Sequence, residues 1–114
     1  MIERTLSNGR MSQIVIHGDT IYLAGQVADD TTQSVEGQTS QVMAKIDRLL
    51  ESAGSDKTKI LSATVWLSDI RTFDEMNMVW DKWVVRGNEP ARATLQSGIA
   101  SPVHLVEIGI IAAR

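Results

Sequence analysis

The chain contains no cysteine. That removes disulfides, thiolate nucleophiles and cysteine-ligated metals together, and it fits a reducing compartment. It has no basic cluster: the Lys and Arg residues are scattered and the formal net charge is −3. A nucleic-acid or anionic-membrane surface needs a concentrated basic face, so both partners are disfavoured. No apolar run approaches the length of a membrane span. The start, Met1-Ile2-Glu3-Arg4-Thr5-Leu6-Ser7, lacks the apolar segment of a signal peptide. Glycine-rich phosphate loops, internal repeats, low-complexity tracts and linkers are absent too. No group of His or carboxylate residues has metal-ligand spacing, so neither metal nor cofactor is expected. These absences leave a cytoplasmic, soluble setting as the expectation.

What is present is one domain of ordinary composition, residues 1–114. A chain of this length buries roughly two-thirds of its unfolded surface, enough for a core without staples. Gln13–His17 and Thr20–Ala24 are β-prone runs around Gly18-Asp19, the pattern of a hairpin. After a polar loop the period changes. Val35, Thr39, Val42, Ile46, Leu49, Leu50 and Ala53 share one helical face, with Gly54 as the stop. Lys45, Asp47, Arg48 and Glu51 lie off that face, where solvent is expected.

Ile60–Leu67 alternates as a strand, with Leu61, Ala63, Val65 and Leu67 on one side and Ser62, Thr64 and Trp66 on the other. Thr72 and Glu75 have capping-box spacing before a second helix whose stripe is Phe73, Met76, Asn77, Trp80 and Val84. Strands are expected over about 91–97 and 104–112. The order β-β-α-β-α-β-β is an α+β fold with two helices on one face of a sheet. The helices should cover Leu61, Ala63, Val65, Ala93, Leu95, Val106, Ile108 and Ile110. The other face would carry Ser62, Thr64, Trp66, Arg92, Thr94, Gln96, Glu107, Gly109 and Ile111. Such a mixed face suits a subunit interface.

Two charges stand in apolar strands. Arg92 lies among Ala91, Ala93 and Leu95, and Glu107 between Val106 and Ile108. A buried unpaired charge is costly. The two are therefore either partners in a structural ion pair across an interface or tools aimed at a ligand. His17 and His104 read as structural or solvated, and Trp80 and Trp83 as helix packing. Trp66 reads as interface packing with a second reading as a cleft wall, and Asn77 as a buried amide.

The segment Pro90-Ala91-Arg92-Ala93-Thr94-Leu95, then Gly98 and Val106-Glu107-Ile108, resembles the hallmark of the RidA (YjgF) family of enamine/imine deaminases, also called endoribonuclease L-PSP-like proteins. Ala24-Gly25-Gln26, Thr64–Asp69 and Phe73 with Met76-Asn77 resemble further family segments, so the likeness covers about residues 11–113. The resemblance implies a chorismate-mutase-like fold, a homotrimer with a central barrel, and clefts between subunits that take a small carboxylate-bearing metabolite. It implies that Arg92 clamps the substrate carboxylate and Glu107 positions water, with Thr94, Gly25, Ala24 and Met11 around the substrate. The implied activity is hydrolysis of 2-aminoacrylate- or 2-iminobutyrate-type intermediates. This chain departs from the family pattern at Met11, where the family has Tyr; at Ala24, where it has Ser or Thr; and at Thr94, where Cys is frequent. The lost hydroxyls favour, as an alternative, a non-catalytic metabolite-binding module. Endoribonuclease activity ranks last, because scattered cations offer no phosphate track.

Overall fold

The computed structural model describes residues 1–114. The elements are β1 (Ile2–Ser7), β2 (Ser12–His17), β3 (Thr20–Gln26), α1 (Val35–Ser52), β4 (Ile60–Leu67), α2 (Phe73–Trp83), β5 (Ala91–Gln96) and β6 (Val106–Ala113). Short 3-10 turns at Lys57–Lys59 and Ile70–Thr72 lead into β4 and α2. The six strands form one mixed sheet in the order β1-β2-β3-β6-β4-β5. Only β4 and β5 pair in parallel.

The expected α+β class is found, with one strand more than the sequence pattern suggests. β1 pairs antiparallel with β2, Ile2 opposite His17 and Thr5 opposite Ile14. All six of its residues are exposed. An edge strand with no buried face shows no alternation, so nothing in its local pattern marks it. The hairpin β2–β3 forms as expected, with Gly18 at a φ of 61° in the turn. That left-handed conformation is one glycine adopts without cost.

The helices cover one face of the sheet. Ile14, Ile16, Ile21, Leu23, Ala63, Val65, Leu67, Val106, Ile108 and Ile110 are buried there against Val42, Ile46, Leu50, Met76, Trp80 and Trp83. α1 has its expected stripe. Ser34 caps its start by accepting from the Gly37 amide at 3.4 Å, and Gly54, at a φ of 79°, follows its end.

Three expectations about facing and capping are corrected. Leu61 is 52% exposed rather than covered, because the β4–β6 register slips between Ile60 and Ser62 and turns it outward. β5 sits in the opposite phase. Parallel pairing sets Arg92 against Ala63 and Thr94 against Val65, on the helix-covered face. Ala93 and Leu95 pair with Thr64 and Trp66 and are exposed on the open face. An edge strand alternating small apolar and polar residues permits either phase, and the pairing partner chooses. The capping box at Thr72 does not form either. The Thr72 hydroxyl donates to the Asp69 carbonyl at 2.6 Å. Glu75 instead accepts from the Glu36 amide of α1 at 2.9 Å.

Two of the charges expected to be solvated are tied. Lys45 donates to the Val27 carbonyl at 2.8 Å and pairs with Asp29 at 2.6 Å. Asp47 accepts from the Trp83 indole N–H at 3.0 Å. β6 begins at Val106, two residues later than expected, since residues 97–105 form an irregular connection. Gln38, fully buried, holds that connection: it donates to the Val103 carbonyl at 3.1 Å and accepts from the Leu105 amide at 3.0 Å. No helix is long and apolar enough to cross a membrane.

Glu75 thus supplies one of the acceptors that the first turn of α1 lacks. Glu75→Ala should lower unfolding stability by about 1 kcal/mol in urea titration, whereas Thr72→Val, which leaves that bond intact, should cost less. Equal losses in the two variants would show that Glu75 does not cap α1.

Candidate functional site

Arg92 projects from β5 toward α2. Its Nη1 donates to Asn77 Oδ1 at 2.8 Å. The guanidinium carbon lies 4.8 Å from the centre of the Trp80 ring and 5.7 Å from that of Phe73. Asn77, Trp80 and Phe73 fall at i, i+3 and i−4 on α2, so one helical stripe supplies all three contacts. The aromatic faces favour the cation, and the planar fork stacks on them. Burial pushes the Arg92 pKa down and nearby Asp81 pulls it back up. The group stays charged at neutral pH.

Arg92 has no carboxylate partner. The chain's two ion pairs are Lys45–Asp29 and Arg71–Asp69. Most of its N–H groups are therefore free to meet a ligand. Arg92 is itself only half-buried, so part of it meets solvent beside the exposed Phe73. Thr94 is on the same face two residues on, and its buried Oγ1 has no hydrogen-bond partner in the chain. Buried hydroxyls are rarely left so.

Glu107 lies on the opposite, open face, cross-strand from Trp66. It makes no ion pair. Its carboxylate rests over Gly25, where an added Cβ would come within 2.1 Å of Oε2. Gly25 belongs to a bulge in β3: the register with β6 passes from Leu23–Ile110 to Gln26–Ile108, three residues against two. Ala24 is half-buried in the same bulge and accepts from the Gln26 side chain at 3.0 Å. Gln26 also donates to Gln13 at 2.8 Å, which joins this end of β3 to the start of β2. Met11 immediately precedes β2. Its backbone is held by Asn8 and its side chain is exposed.

The candidate residues therefore form two groups. Ala24, Gly25 and Glu107 gather on the open face, with Met11 at the same end of the hairpin. Arg92 and Thr94 lie on the helix-covered face of the far edge strand, with Asn77, Phe73 and Trp80. Placing Arg92 beside Glu107 on one face is corrected by the β4–β5 register, and an ion pair between them within one chain is excluded by the sheet that separates them. Asn77 is not merely a buried amide, nor Trp80 merely packing: both hold Arg92. A polar residue inside an apolar stripe, as at Asn77, was the available signal. The His104 Nδ1 is buried without a partner. No group of three His, Asp or Glu converges as metal ligands would. A cavity of about 370 Å³ between α1 and α2, walled by Met43, Val79 and Trp83, contains none of the candidate residues.

Comparison with known proteins agrees with this arrangement of elements. The family model described as Endoribonuclease L-PSP matches residues 1–114. The chain is 43% identical over 112 residues to the RutC family protein YoaB of Escherichia coli, covering 98% of this chain and 97% of that one. It is 34% identical to a 2-iminobutanoate/2-iminopropanoate deaminase of Rattus norvegicus, covering 93% and 81%. The fold superposes on the crystal structure of a YjgF-family protein from Neisseria meningitidis with a TM-score of 0.97 at 38% identity, covering 100% and 95%.

Gly25→Ala tests the close approach in the bulge. The obstructing atoms are the end of a flexible side chain, so the fold should survive with stability changed by less than about 1 kcal/mol. The Glu107 carboxylate should be displaced in a crystal structure of the variant. A carboxylate that stays in place, or a variant that does not fold, would show that Gly25 serves the backbone instead.

Proposed function

Because the chain belongs to the endoribonuclease L-PSP (YjgF/RutC) family, we propose that it hydrolyses reactive enamines and imines of the 2-aminoacrylate/2-iminobutyrate type to 2-keto acids and ammonia. The observation that carries this is Arg92: a half-buried guanidinium, stacked on Trp80, with no carboxylate partner in its own chain. A guanidinium held this way is a preorganised clamp for a carboxylate, which takes two parallel charge-assisted bonds from the fork. The names of the rat and human deaminases, 34% and 32% identical, support the reaction class.

The chemistry needs little more than a clamp and a base. An enamine first tautomerises to the imine. Water then adds to the C=N carbon while a carboxylate takes its proton. That proton passes to nitrogen to give the carbinolamine; the carboxylate then takes the hydroxyl proton and hands it to the amine, the C–N bond breaks, and ammonia leaves as the carbonyl forms. Glu107 is the base: its carboxylate makes no ion pair and packs directly over the backbone at Gly25.

Arg92 and Glu107 lie on opposite faces of the sheet, so one small substrate can touch both only between two copies of the chain. In this reading Arg92 of one protomer and Glu107 of its neighbour close a cleft in a homotrimer. The open face supports such packing, with Ile111 half-buried and Tyr22 exposed. A non-catalytic binding module is the second reading, favoured by Met11 and Ala24, which bring no hydroxyl to the Glu107 side.

Ammonia release from enzymatically generated 2-iminobutyrate tests the activity. The wild type should exceed the spontaneous rate, and Arg92→Lys, which keeps charge but loses the fork, should lower kcat/KM by about 100-fold. A wild type that binds 2-ketobutyrate yet adds nothing to the spontaneous rate would establish the binding module instead. Sharing of the site has its own test. Arg92→Ala and Glu107→Ala should each be inactive, and trimers reassembled from an equal mixture should regain about a quarter of wild-type activity, the fraction of clefts with both residues intact. No recovery in mixed trimers would refute a cleft shared in this way.

A further inference from the structure

Glu107, Trp66 and Leu95 form a single row across three strands of the open face. Trp66 is the cross-strand partner of Glu107 on β6 and of Leu95 on β5. Neighbouring strands are about 4.8 Å apart, so the indole is the first side chain beyond the carboxylate and Leu95 the second. The adjacent row, Gly109, Thr64 and Ala93, is made of small residues. The indole leans into that trough. Its Cη2 and Cζ3 lie 3.3 Å from where a Gly109 Cβ would stand, so any side chain there would crowd the ring.

This row is chemically one-sided. Past the carboxylate it offers an aromatic ring and a leucine that is 41% exposed. Apart from the indole N–H at the rim of the ring, neither offers a hydrogen-bond donor or acceptor to an incoming hydroxyl, amide or anion, and an unsatisfied polar group is penalised on burial. Apolar area gains there. An imino acid whose C=N carbon is presented to Glu107 must direct its side chain away from the carboxylate, and this row extends in one such direction.

Resting on the deaminase reading above, we propose that Trp66 determines specificity: its indole is the platform for the substrate's side chain, and it selects imino acids with branched apolar or aromatic side chains over the smallest ones. Leu95 extends the platform. Trp66 is not a catalytic residue, because it takes no part in moving the proton or the water. Gly109 is the residue that lets the ring lie against the sheet.

The experiment compares imines generated in place by an amino-acid oxidase from alanine, leucine and phenylalanine. It also measures calorimetric affinities for the matching products, pyruvate, 4-methyl-2-oxopentanoate and phenylpyruvate. Wild-type kcat/KM should be about tenfold or more higher for the leucine- and phenylalanine-derived imines than for the alanine-derived one, in proportion to the added apolar area. Trp66→Ala should remove that preference while leaving the alanine-derived reaction within about threefold. Trp66→Phe should retain most of the preference, and light scattering should show both variants in the wild-type assembly. If Trp66→Ala does not assemble, Trp66→Phe and Leu95→Ala carry the test, the latter reducing the preference for the phenylalanine-derived imine most. A preference that survives Trp66→Ala, or one that is absent in the wild type, overturns the platform. Loss of all substrates by the same factor would make Trp66 a structural residue and also overturn it. The product affinities separate this from the reaction itself. Without ammonia release, a pyruvate-to-phenylpyruvate affinity ratio that collapses in Trp66→Ala still supports the platform, while equal wild-type affinities refute it.

Discussion

The strand at the end of the chain lies in the middle of the sheet. β6 is bonded to β3 on one side and β4 on the other, and without it the β1–β2–β3 and β4–β5 halves share no edge. Its alternate residues Val106, Ile108, Ile110 and Ala112 are almost wholly buried beneath the helices. Burying them contributes on the order of 1–3 kcal/mol for each larger side chain. The make-up of the open face follows from that register. Glu107 is fixed one residue out of phase with the buried set, opposite Trp66 and over the β3 bulge.

The second constraint is the parallel pairing of β4 with β5. It sends Arg92 to the helix side, where α2 supplies Asn77, Trp80 and Phe73 at helical spacing. A charge on that side would be costly if fully enclosed. On an edge strand it keeps an open approach and free donors, so the cost is moderated and the group remains available. The same pairing puts Leu95 beside Trp66 on the other face. One choice of register thus decides both which side Arg92 occupies and what flanks Glu107.

Several features were legible in the residues because they are local. The stripes of both helices, the Gly18 turn, the stop at Gly54 and the alternation of β4 and β6 rest on periods of 3.6 and 2. Gly25 was placed near the substrate only by the family resemblance; the structure supplies a physical reason for a glycine there, the Glu107 carboxylate lying over it. The role of Asn77 was only half visible: a polar residue in an apolar stripe says that a partner exists, not which one, and Gln38 was not singled out at all. β1 left no trace, since a strand exposed along its whole length needs no apolar alternation.

The sequence by itself determined the class of fold, the covered faces of the helices and the identity of the residues that stand out chemically. Those properties depend on spacing along the chain. Only the tertiary structure decided the face of Arg92, the exposure of Leu61, the diversion of Glu75 to the start of α1 and the separation of Arg92 from Glu107. In an edge strand such as β5, with alanines between its polar residues, neither phase is favoured by burial alone. The choice belongs to hydrogen bonds made with a strand some thirty residues away, and no local period contains it.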